Sequence, residues 1–164
     1  PAPGDLYQYV AGASSSDIGL TLNGEAISTE IDATGYVRIR RMWQVGDVVE
    51  LILPMPIQRV RCNDHVEANR GKVALERGPL VYCAEAIDNG GHALNLVLHD
   101  DADLTTEDAP DLLNGVQLIQ ATHRGELPSE PLSPQISAIP YYAWAHRGVG
   151  EMIVWFNRGD AKRG

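Results

Sequence analysis

Apolar and polar residues alternate with a period of two along most of this chain. In Tyr36-Val-Arg-Ile-Arg40, Val37 and Ile39 fall on one side and Arg38 and Arg40 on the other, the pattern of a half-buried strand. A Gly46-Asp47 turn leads into Val48–Leu53, which predicts a hairpin between the two runs. Ile57 to Cys62 alternates again, with Arg59 and Arg61 expected to face outward. Lys72–Glu76 and Leu80–Ala84 follow, separated by Gly78-Pro79; Pro79 has no N–H for a ladder and marks a bulge or strand start. Further strands are expected at Leu6–Val10, Ile18–Leu22, Leu94–Leu98, Val116–Ala121, Ile136–Ile139 and Glu151–Phe156, and Asn23-Gly24 is a tight-turn dipeptide. The nearest approach to a helical period is Thr106–Leu113, where Thr105 or Thr106 could cap a single turn. Short strands with turn residues every ~8–12 positions predict an all-β, antiparallel β-sandwich, or two abbreviated sandwiches packed together.

Composition narrows the classes. The 164 residues carry 13 Lys+Arg against 22 Asp+Glu, a formal charge of −9. That balance argues against nucleic acid and anionic membranes as partners, since both demand clustered cations. No apolar run approaches the ~18 residues of a membrane span. Charge is also uneven: residues 78–123 contain no Lys or Arg and eight acids. The seam near Asp88-Asn89-Gly90-Gly91 is therefore the candidate boundary between a first sandwich portion, 1–89, and a second, 90–164. A Pro-rich stretch, Leu127–Pro134, is expected to cross between sheets. The chain opens Pro1-Ala2-Pro3-Gly4, with neither an initiator Met nor a signal-peptide core, and reads as a piece of something longer.

Candidate chemistry is thin. Cys62 and Cys83 sit in strand-like runs without zinc-ligand spacing and read as buried thiols. The acids of His99-Asp100-Asp101-Ala102-Asp103 suit a hard cation in type, but lack the spacing of a calcium loop and read as a solvated loop. The five histidines are scattered, no GxSxG elbow is present, and Gly12–Ser16 reads as a turn or linker. No catalytic residue is assigned. Aromatics are sparse, yet five of the ten lie between Tyr141 and Phe156. Rings of this kind either stack on sugars or fill a core or an interface. Tyr141, Tyr142, Trp144 and His146 are the candidates for a ligand-facing or interdomain surface.

Three strings, GYVRIRRMWQVGDVVELILPM (35–55), GKVALERGPLVYCAEAIDN (71–89) and AIPYYAWAHRGVGEMIVW (138–155), resemble the C-terminal β-sandwich region of glycoside hydrolase family 127, which includes β-L-arabinofuranosidases. The resemblance implies that catalysis belongs to a preceding (α/α)6 barrel, where a cysteine nucleophile held with zinc works beside a glutamate. The adjacent Cys-Cys pair of that site is absent here, and Cys62 and Cys83 match sandwich strands, so no catalytic or zinc role carries over to them. Several strands of the first sandwich are also missing between Leu6–Val10 and Asn23-Gly24. The implied role is non-catalytic: supporting the barrel or dimerisation, with the barrel as partner and a homo-oligomer and an arabinose-containing oligosaccharide as further candidates. The alternative is an autonomous carbohydrate-binding module.

Overall fold

A computed structural model describes residues 6–10, 18–122 and 135–159. The Pro-rich stretch 127–134 and the small-residue stretch 12–16 lie outside the described residues. The fold is all-β and antiparallel in the main, and among the described residues there is no helix as long as seven residues. The chain forms two compact units: Pro1–Ala13 with Ile57–Gly164, and Ser14–Pro56. The charge seam at Asp88–Gly91 falls inside the larger unit, because a change in surface charge does not divide a shared core.

In the larger unit, β1 (Tyr7–Tyr9), β5 (Ile57–Cys62), β6 (Lys72–Arg77) and β7 (Leu80–Glu85) run side by side; the sheet continues through β11 (Gln135–Pro140) and β10 (Val116–Thr122) to β9 (Asp103–Ala109). Two short strands complete it. β12 (Met152–Ile153) pairs with β7, and β13 (Phe156–Gly159) lies antiparallel to β6 and parallel to β8 (Val97–His99). The sheet curls into a half-barrel.

Period-two alternation gives this sheet two buried faces. Leu75 and Tyr82 share one with Ile119, Ala138, Leu98 and Phe156, all 1% exposed or less. Cys83 and Ile139, paired across β7 and β11, lie on the other with Val116, Leu118 and Ala143. The turn joining β6 to β7 is Gly78-Pro79: Gly78 takes φ +56°, Pro79 fixes its own φ, and Arg77 faces Leu80 directly.

Arg59 departs from its outward expectation. Directly opposite Leu75, it reaches under the 100–102 turn and donates from Nη2 to the Ala102 carbonyl at 3.0 Å. Its aliphatic stem suits an inward position that its charge alone does not predict. The stretch 106–113 also differs: β9 pairs with β10 over its whole length rather than forming a helical turn.

The smaller unit is a three-stranded sheet, β3 (Glu25–Ala26), β2 (Gly19–Leu22) and β4 (Val49–Ile52), in that order. Asn23 (φ +52°) and Gly24 (φ +84°) make the expected tight turn. Residues 36–40 do not form the expected strand, and β4 pairs with β2 instead. Local bonds explain the exchange. Asp32 Oδ1 accepts from the Thr34 N–H at 2.8 Å and the Tyr36 N–H at 3.3 Å, and Arg38 pairs with its other oxygen at 3.1 Å. Asn23 holds the 44–48 turn, donating to Asp47 and accepting from the Val48 N–H, both at 2.8 Å.

Candidate functional site

The aromatic candidates follow β11 directly. Pro140 ends that strand, and Tyr141–Ala143 form one 3-10 turn whose Ala143 is buried. Trp144 donates its N–H to the Tyr141 carbonyl at 3.1 Å. This closes the turn and stacks the Tyr141 and Trp144 rings, with centroids 5.7 Å apart and planes 19° off parallel. Tyr142 is 64% exposed, Tyr141 44% and Trp144 39%. His146 is exposed as well. The structure thus joins two of the four candidates as a stacked pair and sets the other two in solvent on the same loop.

Residues that do not advertise themselves in the sequence hold this loop. Arg147 is only 14% exposed and lies between two carboxylates, Glu85 at the end of β7 and Asp88 in the 3-10 turn Ala86–Asp88. Its Nη1 reaches Asp88 Oδ1 at 2.7 Å, its Nε reaches Glu85 Oε2 at 3.2 Å, and its Nη2 reaches both residues at 2.5 Å. Planar donors matched to two carboxylates hold the arginine protonated, its pKa driven further up chiefly by Asp88. The Ala145 N–H also points to Glu85, at 3.4 Å, and Ala145 takes a left-handed φ of +70°. That conformation costs free energy in an alanine, and the arginine lock holds it in place.

Two further side chains join the same segments. Buried Asn89 donates to the carbonyls of Glu85 (2.8 Å) and Ser137 (3.0 Å) and accepts from the Ser137 N–H. Glu151 accepts from the N–H groups of Ala93 at 2.8 Å and Leu94 at 3.1 Å, which holds its carboxyl below the usual range. The signal for Glu85 was its place at the end of the buried run Leu80–Ala84, where an acid needs a partner. Arg147 offered no such signal, because an arginine in a Gly-rich loop reads as solvated.

The site is poor in reactive groups. Cys83 is fully buried and its thiol is pushed up to about 12, mainly by burial and then by Glu85. Asp100 of the acidic loop is taken up by Arg158 at 2.5–2.7 Å. Among the described residues no group of three His, Cys, Asp or Glu stands close enough to hold a metal. What the loop offers is a rigid aromatic shelf.

Such an arrangement defines a class: an all-β module whose buried ionisable groups serve internal locks and whose exposed face is aromatic. Two family models match it, the glycoside hydrolase family 127 C-terminal domain over residues 57–157 and the β-L-arabinofuranosidase GH127 middle domain over residues 11–55. The chain belongs to glycoside hydrolase family 127. The junction of the two matches coincides with the division of the structure after Pro56.

A curated relative, the non-reducing end β-L-arabinofuranosidase of Bifidobacterium longum subsp. longum, is 34% identical over 91% of the chain. A solved family 127 β-arabinofuranosidase superposes with a TM-score of 0.80 at 37% identity over 96% of the chain. A β-L-arabinofuranosidase from Geobacillus stearothermophilus T6 superposes with a TM-score of 0.70 at 38% identity over 96%. The chain spans about a quarter of the length of these relatives: 25%, 25% and 29% respectively.

Proposed function

We propose that this chain is the non-catalytic β portion of a β-L-arabinofuranosidase-like glycosidase, docking against and supporting the catalytic (α/α)6 barrel that the family resemblance implies for the rest of the protein. The observation that carries this reading is the open sheet of the smaller unit. Every residue of β4 is exposed: Val49 and Leu51 on one face are 44% and 55% exposed, and Ile52 on the other 52%. Ile18, Ile31, Val37 and Leu53 line a broad groove of about 630 Å³ with Leu20 and Leu51. A three-stranded sheet with one apolar face needs a covering layer, and an exposed patch of this kind marks an interface. The Tyr141–Trp144 shelf, with Tyr142 and His146, supplies a second contact of the same kind, since rigid aromatics are typical anchors of buried interfaces. Zinc and the nucleophile belong to the barrel in this reading.

The test compares this chain alone with a protein that carries the barrel ahead of it. Alone, the chain is expected to bind a hydrophobic dye and to self-associate, and Leu51→Ser with Ile52→Thr is expected to reduce both. Joined to the barrel, the dye signal is expected to vanish. A monomeric, dye-silent chain on its own would overturn the reading.

A further inference from the structure

On the larger unit's sheet, register places Tyr7, Tyr9, Val60, Ala74, Glu76 and Val81 on one face: Tyr9 faces Val60, Val60 faces Ala74, and Glu76 faces Val81. A cavity of about 280 Å³ opens there. Its floor is Val60 and Ala74, both 4% exposed or less, and its sides are Val81 and Val154. At the mouth stand Tyr7 and Trp155, stacked with centroids 6.0 Å apart and planes 21° off parallel, and the carboxylate of Glu76. We propose that this cavity receives an arginine side chain presented by a partner polypeptide.

Three features select that occupant. Among the described residues, Glu76 is the only charged one in the lining. It accepts one hydrogen bond, from the Tyr9 hydroxyl to Oε2 at 3.2 Å, and among the described residues no cation pairs with it. A carboxylate at the rim of an apolar cavity calls for a cation, because ion pairing is stronger where water is scarce. The Trp155 indole N–H already has a partner, the Asn69 side-chain oxygen at 3.2 Å once that amide is turned to face it, so the ring offers its face rather than a donor. A guanidinium stacks on such faces while engaging a carboxylate, and does so better than a compact ammonium. The valine and alanine walls match the aliphatic stem of arginine, which lies on apolar surface while its head stays polar. A saccharide fits less well: its hydroxyls need several donors and acceptors, whereas four of the seven lining residues are valine or alanine and the Trp155 N–H is already engaged. The formal charge of −9 acts in the same direction.

The inference is independent of how the smaller unit is covered, and its test reads the larger unit alone. The 164-residue chain has three tryptophans, so the indole N–H cross-peaks of Trp43, Trp144 and Trp155 can be followed separately by NMR. The probes are Nα-acetyl-arginine amide, its lysine counterpart, and the citrulline amide, which keeps the shape of arginine without its charge. The arginine probe is expected to shift the Trp155 peak with a dissociation constant on the order of millimolar. The other two should bind more weakly, and Trp43 and Trp144 should not move. Glu76→Gln should weaken the arginine response about fivefold or more. Tyr7→Ala should do the same through the other wall, which guards against a variant that merely perturbs one strand. Equal responses to arginine and citrulline, a stronger response to lysine, or an unmoved Trp155 peak would each overturn the proposal.

Discussion

Arg147→Met keeps the volume of the arginine and removes its charge. In the folded protein this leaves Glu85 and Asp88, with side chains 8% and 19% exposed, facing each other without the cation that bridges them. Removing one partner of a buried ion pair costs about 3–5 kcal/mol, because the remaining charge stays desolvated. At about 2–4 °C per kcal/mol for a domain of this size, the melting temperature should fall by about 6–20 °C. The scale can be set within the same molecule. Arg38 pairs with Asp32 at the surface, where the two side chains are 60% and 32% exposed, and Arg38→Met should cost less than about 1 kcal/mol. Arg147→Lys should fall between the two, since it keeps the charge and loses the planar fork. The combined variant Arg147→Met, Glu85→Met, Asp88→Leu should recover much of the loss, because an apolar replacement leaves no charge stranded. Urea unfolding followed by near-ultraviolet circular dichroism measures all four. An Arg147→Met variant within about 1 kcal/mol of the parent would refute the claim that this triad holds the aromatic loop.

Other consequences can be checked with simple measurements. Asp100 is held below the usual carboxylate range by Arg158, so its contribution to stability is present above about pH 4 and is lost as pH falls through the lowered value. The stability gap between the parent and Asp100→Asn should therefore be full at pH 7 and close on acidification, and a gap that widens in acid would contradict the assignment. Cys62 is half-buried and Cys83 fully buried with a thiol at about 12. Ellman's reagent at pH 8 should consume at most one thiol in the native chain and two after denaturation. Gly159→Ala would place a methyl 2.5 Å from the His99 ring and should cost about 1–3 kcal/mol in urea unfolding, through displacement of β13 from β8. Titration with arabinose-containing oligosaccharides at millimolar concentration should produce neither heat nor a tryptophan fluorescence change; a clear response would favour the carbohydrate-binding alternative.

Strand positions were legible because period-two alternation is a local property, and β5, β6, β7, β10 and β11 fall close to the expected runs. Partner choice was not. Residues 36–40 alternate as well as any strand, yet Asp32 folds the chain back on itself there and β4 finds β2. Thr106–Leu113 suggested a helical turn because its polar residues hide the pairing of β9 with β10, which only the partner strand supplies. In the site, the clustering of Tyr141, Tyr142 and Trp144 could be seen in one dimension. The lock could not, since Arg147 lies 59 and 62 positions from its two carboxylates. The two strings most suggestive of the family, 71–89 and 138–155, are the ones this lock and the pairing of β12 with β7 bind together.

The last described strand, β13, sits between β6 and β8 and touches both. A nascent chain leaving the ribosome cannot close this sheet until residues 156–159 emerge, so β6 waits with an open edge while about 78 residues are made and β8 while about 56 are made. Open edges are where chains misjoin. Synthesis that stalls shortly before Phe156 would release a chain with its cores nearly assembled and an unsatisfied slot in its main sheet, a form suited to capture by chaperones or by another unfinished copy.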